Sequence, residues 1–290
     1  MTTISIMGVP EHFNFPWTEV IKVQPFAHKG IELVWKDESR GSGAMNKAIR
    51  EGDADIAIIL TESFLKDKIE GNPGKIIGWH VKSPLIWGIH VSAKTIENTV
   101  QEVEKAPFLI SRYGSGSHLM AYVLAEREGW KKEALNFELV GNMDGAKKVF
   151  LEEGMPKIFL WEKFTTKPLV DEGIFKRIGE IPTPWPCFVI VASEKILNEH
   201  REVVRELQQL VYQKSKDLII DSQTPKRIAS KYGIQLEDIN EWIKQTKWAE
   251  NSTIESFDLE NTINTLKELN LIKNGIKPSL LVDEELAYLK

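Results

Sequence analysis

A single cysteine, Cys187, rules out an intramolecular disulfide and any cysteine-based metal site. Long apolar runs are missing as well. No stretch approaches the roughly 18 consecutive apolar residues of a membrane-spanning helix, so no membrane insertion is expected. Nor is there an excess of positive charge. Lys and Arg number 37 against 42 Asp and Glu, a formal net charge of −5, and they are scattered rather than clustered, which argues against a nucleic-acid partner. The usual catalytic templates are absent: no Gly-x-Ser-x-Gly elbow, no phosphate loop ending in Gly-Lys-Ser/Thr, no His-Glu-x-x-His, no Asp-rich calcium loop. Tyr113-Gly114-Ser115-Gly116-Ser117 fails the dinucleotide fingerprint because no third glycine follows at the required offset. No cofactor and no metal are expected. What remains is the composition of an ordinary globular chain, 42% hydrophobic and 27% charged over 290 residues, enough for one large or two modest domains.

Against that background one pattern stands out, and it occurs twice. Arg40-Gly41-Ser42-Gly43 follows the β-like run Ile31–Trp35 and leads into a helical pattern from Ala44 to Arg50. Tyr113-Gly114-Ser115-Gly116-Ser117-His118 follows Ala106–Ile110 and leads into a helix from Leu119 to Glu128. A strand, a Gly/Ser turn and a helix N-terminus present unpaired backbone N–H groups and hydroxyls beyond the sheet edge. Each copy alone also reads as an ordinary N-cap. As a pair they predict that Ser42 and Ser115, with Ser117 nearby, face each other across a cleft and hold one polar or anionic group.

The order of elements supports two α/β units. Ile4–Met7, Ile31–Trp35 and the continuous apolar run Asp55–Leu60 read as strands, alternating with helices at Thr18–Val23 and Met45–Arg50. Strands at 76–80 and 85–91 follow. The pattern then restarts with strands at 108–111, 137–140, 157–161 and 188–192, and helices at 117–128 and 143–153. From Ser193 onward the chain reads as helical, with segments at 194–220, 225–232, 236–248 and 258–271, the last stopped by Asn274-Gly275.

In open α/β sheets ligands sit at the carboxyl ends of strands. The loops expected there supply the candidate ligand-binding residues Phe15, Trp17, Ser42, Glu62, Ser115, Ser117, His118, Asp144, Trp161, Glu162 and Trp185. Trp161, Trp185 and an aromatic of the 12–17 loop would form apolar walls, the serines would donate to the ligand, and Glu62 or Glu162 would bind an amine. Each has a plainer role open to it, the tryptophans in core packing above all. His118 and His12 are the candidate general bases if the chain is an enzyme.

The stretch Leu33–Leu60, with Gly-Ser-Gly before a helix and then Glu51-Gly52-Asp53-Ala54-Asp55-Ile56-Ala57, resembles the first lobe of type 2 periplasmic-binding proteins. It is most similar to the nitrate/sulfonate/taurine and thiamine-pyrimidine-precursor group, and Ser111–Ala121 and Trp161–Ala192 resemble the same group. The resemblance implies two doubly wound α/β lobes, 1–90 with 191–290 and 91–190, crossing near 88–92 and 186–191, with a helical C-terminal tail packing on the first lobe. It also implies hinge closure around a small aromatic or anionic metabolite, and a transporter permease as partner where the protein is exported. The alternative is a cytoplasmic biosynthetic enzyme on the same scaffold, thiamine-precursor- or menaquinone-pathway-like. Cys187 stands alone where the eukaryotic thiamine-precursor synthases carry a Cys-rich motif. The first residues show no export signal, so the chain as written is expected in the cytoplasm; a mature exported form beginning at Met1 would read the same and act in the periplasm. A monomer and a homodimer are both compatible with the sequence. Binding is expected rather than turnover.

Overall fold

The chain runs β1 (Thr2–Gly8), α1 (Phe15–Lys22), β2 (Ile31–Asp37), α2 (Ser42–Glu51), β3 (Ile56–Leu60), α3 (Thr61–Ile69) and β4 (Lys75–Val81). It continues as β5 (Ile86–Ser92), β6 (Phe108–Ile110), α4 (Gly116–Glu128), β7 (Phe137–Leu139), α5 (Met143–Leu151), β8 (Ile158–Glu162), α6 (Lys167–Asp171) and β9 (Phe175–Pro182). The last part is β10 (Phe188–Ala192), α7 (Glu194–Ile220), α8 (Thr224–Tyr232), α9 (Leu236–Gln245), β11 (Thr253–Ile254), α10 (Ser256–Glu268), α11 (Pro278–Leu281) and β12 (Tyr288–Leu289). This computed structural model describes residues 2–152 and 154–290. The expected helix end at Glu153 lies outside the described residues; α5 is described to Leu151.

Two mixed five-stranded sheets result. The first has the order β2-β1-β3-β10-β4, the second β7-β6-β8-β5-β9. In the first, β1 pairs in parallel with β2 and β3, and β10 runs antiparallel to both β3 and β4. The run Ile56–Ile59 is fully buried, as a central strand covered on both faces requires. In the second sheet β6 is parallel to β7 and β8, while β5 is antiparallel to β8 and β9.

The chain divides into two compact units, one running up to Pro84 and resuming at Trp185–Lys290, the other Leu85–Pro184. The divisions fall ahead of positions 90 and 191 for a physical reason. β5 pairs along its length with β9 and also with β8, so the whole strand belongs to the second sheet. β10 in turn lies wholly in the first. The C-terminal helices pack within the first unit, α7 against α1 and α10 against α3.

Several expectations need correction. α1 begins at Phe15 rather than Thr18, because Pro16 suits the first turn of a helix. α3 starts directly at Thr61 with no loop after β3, so the expected loop Thr61–Ser63 is the first turn of a helix. β9 has no counterpart in the sequence reading; it is an edge strand carrying Lys176, Arg177 and Glu180, whose charges break the apolar signal. The tail is not wholly helical, since β11 and β12 pair in parallel. α10 ends ahead of the expected stop, with Asn270 in the left-handed region (φ 58°) rather than Asn274-Gly275 closing the helix.

α7 packs on β4 without clearance. Tyr212 donates from Oη to the Trp79 carbonyl at 3.2 Å, and Gln208 donates to the Ile77 carbonyl beside it. A Cβ at Gly78 would lie 2.0 Å from Tyr212 Oη. Gly78→Ala should therefore destabilise the first unit by about 1–3 kcal/mol, the usual cost of overpacking. Urea unfolding followed by circular dichroism will show a lowered midpoint; an unchanged midpoint would contradict this packing.

Candidate functional site

In the first unit, β1, β2 and β3 all end on one edge of their sheet. The register Phe188 with Leu60 and Val81 brings the start of β10 and the end of β4 to that same edge. Short hydrogen bonds tie the segments there together: Glu38 N–H to the Gly8 carbonyl at 2.8 Å, Thr61 Oγ1 to the Pro186 carbonyl at 2.6 Å, and Cys187 N–H to the Ser83 carbonyl at 3.2 Å. Ser42 opens α2 behind Gly41, whose φ of +77° a residue with a Cβ adopts only at a cost. The Ser42 oxygen does not cap its own helix. It accepts from Leu60 N–H at 3.1 Å, which leaves the hydroxyl hydrogen to be donated elsewhere. Arg40 forks onto Glu38 at 2.8 and 2.6 Å and holds that carboxyl below its usual range.

Glu62, the second residue of α3, is completely buried. Its Oε2 accepts from Trp185 Nε1 at 2.7 Å, and its Oε1 has no hydrogen-bond partner. Burial pushes the carboxyl up to about 7. Ser42, Glu62 and Trp185 are thus brought to one edge, with Trp185 buried as a partner of Glu62 rather than standing as an open wall.

Phe15 and Trp17 do not line that edge as exposed aromatics. Trp17 is fully buried, and Phe15 is buried with Arg227 and Lys231 over its ring at 5.6 and 5.7 Å. His12 is packed edge-on to Trp242 at 4.4 Å and beside Phe13, and burial lowers its pKa to about 3. The Phe13 carbonyl accepts from both His80 Nε2 and Trp248 Nε1 at 2.8 Å. The 12–17 segment therefore belongs to the core of its unit.

The second unit repeats the edge in its own way. β6, β7 and β8 end together, joined there by the start of β5 and the end of β9. Gly114 is left-handed (φ 76°), and Ser115 is the N-cap of α4, accepting from His118 N–H at 3.3 Å. Ser115 and Ser117 hydroxyls lie 3.0 Å apart, and Ser117 Oγ accepts from Ser111 N–H at 3.2 Å. His118 Nδ1 accepts from Gly114 N–H at 3.0 Å, so the neutral ring carries its proton on Nε2. Its ring meets Tyr113, Tyr122 and Phe137 edge-on. Asp144 sits exposed in the first turn of α5, a position that favours a carboxylate whether or not a ligand is near.

At the end of β8, Trp161 is half-buried and stacked on Phe159, with ring centroids 5.4 Å apart. Glu162 is buried, and its Oε2 accepts from Phe164 N–H at 3.0 Å, Thr165 N–H at 2.7 Å and Thr165 Oγ1 at 2.9 Å. Burial still pushes it up to about 7. Sequence reasoning passed over Lys163, which is buried here, pairs with Glu180 at 3.0 Å and lies over the Phe164 ring. Its position directly behind the strand end was the available signal. A cavity of about 480 Å³ between α7 and residues 284–288, and one of about 380 Å³ beside the end of α5, contain none of these candidate residues.

The buried titratable groups set a pH profile. His12, His80 and His90 are lowered by burial to about 3, 4 and 3, so the unfolded chain alone takes up their protons below 6.5. Each of these groups costs stability as the pH falls. Glu62 and Glu162 work in the opposite sense: folded, they keep protons up to about 7 that the unfolded chain releases near 4.5, so stability falls as the pH rises across that window. Between about pH 4.5 and 6.5 the histidines outweigh the carboxyls by one proton, roughly 1.4 kcal/mol per pH unit. Above 6.5 the carboxyls alone remain. Urea midpoints are expected to peak near pH 6.5, and Glu62→Gln to flatten the fall between pH 6.5 and 8; a midpoint still rising at pH 8 would contradict the buried carboxyls.

Residues 87–181, most of the second unit, match the family model of Ca3427-like periplasmic-binding proteins. The Candida albicans CA3427 gene product, described as having the generic periplasmic binding protein fold, superposes with a TM-score of 0.87 at 24% identity, covering 98% of this chain and 96% of that one. The alkanesulfonate-binding protein SsuA of Xanthomonas axonopodis pv. citri gives a TM-score of 0.79 at 13% identity, covering 100% and 99%. A ligand-binding component of an ABC-type import system from Staphylococcus aureus gives 0.77 at 16%, covering 99% and 98%. No curated protein matches the sequence. Over nearly its whole length the chain carries the α/β periplasmic-binding-protein fold.

Proposed function

We propose that this protein is a solute-binding protein for a small anionic metabolite, with the Gly/Ser helix entry of α2 in the first unit and that of α4 in the second each a candidate anion-binding feature of its own unit. The observation that carries this reading is the entry to α4. A left-handed glycine there turns the chain so that two buried hydroxyls, Ser115 and Ser117, stand 3.0 Å apart at a helix N-terminus. The first N–H groups of a helix have no partner inside it, and its dipole favours negative charge by roughly 0.3–1 kcal/mol, more when partly buried. The entry to α2, with Ser42 and the outward-facing Arg40, repeats the arrangement in the first unit. Solved structures of the same fold support the ligand class. They include an alkanesulfonate-binding protein and PhnD1 of Prochlorococcus marinus in complex with methylphosphonate. An importer permease is the partner that such a role implies, and the Staphylococcus aureus import component is the support for it.

Ser115 is the residue on which the reading turns. As an N-cap it contributes about 1 kcal/mol to stability. As a donor to an anion it contributes about 1.5–3 kcal/mol to binding. With ethanesulfonate and methylphosphonate as probes, Ser115→Ala should weaken binding roughly ten- to a hundredfold and lower thermal stability only slightly. Calorimetric titration and thermal melting on the one variant separate the roles. A loss of stability with unchanged affinity would mean that Ser115 is a cap and no more.

A further inference from the structure

We propose that Glu62 recognises the bound anion as a neutral carboxylic acid, its Oε1 hydroxyl donating a hydrogen bond to an oxygen of the ligand. The inference rests on the reading of these strand ends as a solute site, and adds to it that binding holds a proton on the protein. The geometry is that of an acid. An indole N–H can only donate, so Oε2, at 2.7 Å from Trp185 Nε1, is the accepting oxygen. Oε1 is buried with no partner, which suits a hydroxyl awaiting an acceptor. An ionised carboxylate would be buried with only the Trp185 indole and its own backbone N–H as neutral donors and with Oε1 unpartnered, an arrangement that costs free energy.

No opposite charge relieves it. Among the described residues no ion pair reaches Glu62, and the cations of α2 and α3 are engaged elsewhere. On α3 itself Lys66 pairs with Glu70, and Lys68 donates to the Pro73 carbonyl. On α2 Arg50 pairs with Asp67 and Lys47 with Glu51, and in the loop before it Arg40 pairs with Glu38. On α10, which packs against α3, the charged residues are Asp258, Glu260, Lys267 and Glu268; β3 and β10 carry none. Burial, with no cation opposing it, keeps the proton on Glu62 up to about pH 7. A bound anion would hold it to higher pH. Glu162 makes the contrast: its Oε2 accepts three hydrogen bonds from the turn that follows it, a fixed structural role.

Ethanesulfonate is the probe for the test, because it stays ionised from pH 5.5 to 9 and any pH dependence of its binding belongs to the protein. Calorimetry on the full chain should show constant affinity below about pH 7 and a loss approaching tenfold per pH unit above it, with one proton taken up per ligand. Glu62→Gln, whose amide still donates, should bind up to about tenfold more weakly at pH 6 and lose the slope above 7. The Trp185 indole ¹⁵N–¹H resonance of the unsubstituted, ligand-free protein should shift in a single step near pH 7, and ethanesulfonate should move that step upward. Affinity that is flat or rises above pH 7, a slope retained in Glu62→Gln, or no Trp185 step between pH 5 and 9 overturns the proposal. Ethanesulfonate binding that is present but ignores pH overturns this inference alone. Absence of ethanesulfonate and methylphosphonate binding at pH 6 removes the solute-site reading with it.

Discussion

The return of the chain as β10, between β3 and β4, is the constraint on which the first unit depends. Five apolar residues, all buried, enter antiparallel and complete the hydrogen bonding of both neighbours. Without β10 the inner edges of β3 and β4 would carry unpaired backbone groups inside the fold, at a cost that side-chain packing could not offset. The strand also carries the segment ahead of it to the edge where β3 ends. There Thr61 donates its N–H to the Cys187 carbonyl and its hydroxyl to the Pro186 carbonyl. Trp185, immediately before, reaches Glu62. A sheet-closing strand thereby fixes the polar chemistry beside it.

Two buried carboxyls stand at the ends of β3 and β8, Glu62 just past the one and Glu162 the last residue of the other, and their surroundings give them different roles. Glu162 accepts three donors on one oxygen and so organises the turn into α6. Glu62 accepts one side-chain donor, from a distant part of the chain, and its second oxygen has no hydrogen-bond partner. Both are pushed up by the same cause, desolvation. Hydrogen-bond geometry, rather than the direction of the shift, separates a structural acid from a candidate recognition group.

Much of the fold was legible because its signals are local. The apolar run at 56–60, the glycines before α2 and α4 and the periodicity of α7 each lie within one short window. β9 was hidden because an edge strand tolerates charge, and Lys176, Arg177 and Glu180 erase the alternation. α3 was hidden because it starts with no intervening loop to announce it. The site was legible as a set of strand ends and illegible as a set of contacts. Ser42 looks like a cap, yet its oxygen serves Leu60 on the neighbouring strand. The partner of Glu62 lies 123 residues away in sequence, beyond any pattern a window can read. Phe15 and Trp17 looked exposed because aromatics in a short Pro-containing segment resemble a loop, whereas they form a buried helix.

The same distinction bears on why the helix entries are better candidates for function than the aromatics near them. A buried tryptophan or phenylalanine is explained by the area it removes from water, and needs no ligand to account for it. A left-handed glycine followed by a serine whose hydroxyl is only half used is not explained by packing. Gly41 and Gly114 both adopt positive φ at the entries to α2 and α4, a conformation open to glycine at little cost. At α4 the cap is supplied by Ser115, yet Ser117 adds a second hydroxyl that the helix itself does not require. At α2 there is no side-chain cap, and the Ala44 N–H donates to the Gly41 carbonyl at 3.0 Å. In the first unit, Ser42, whose oxygen accepts from Leu60, and Glu62, with one oxygen unpartnered, are the polar groups that the proposed oxyanion would complete.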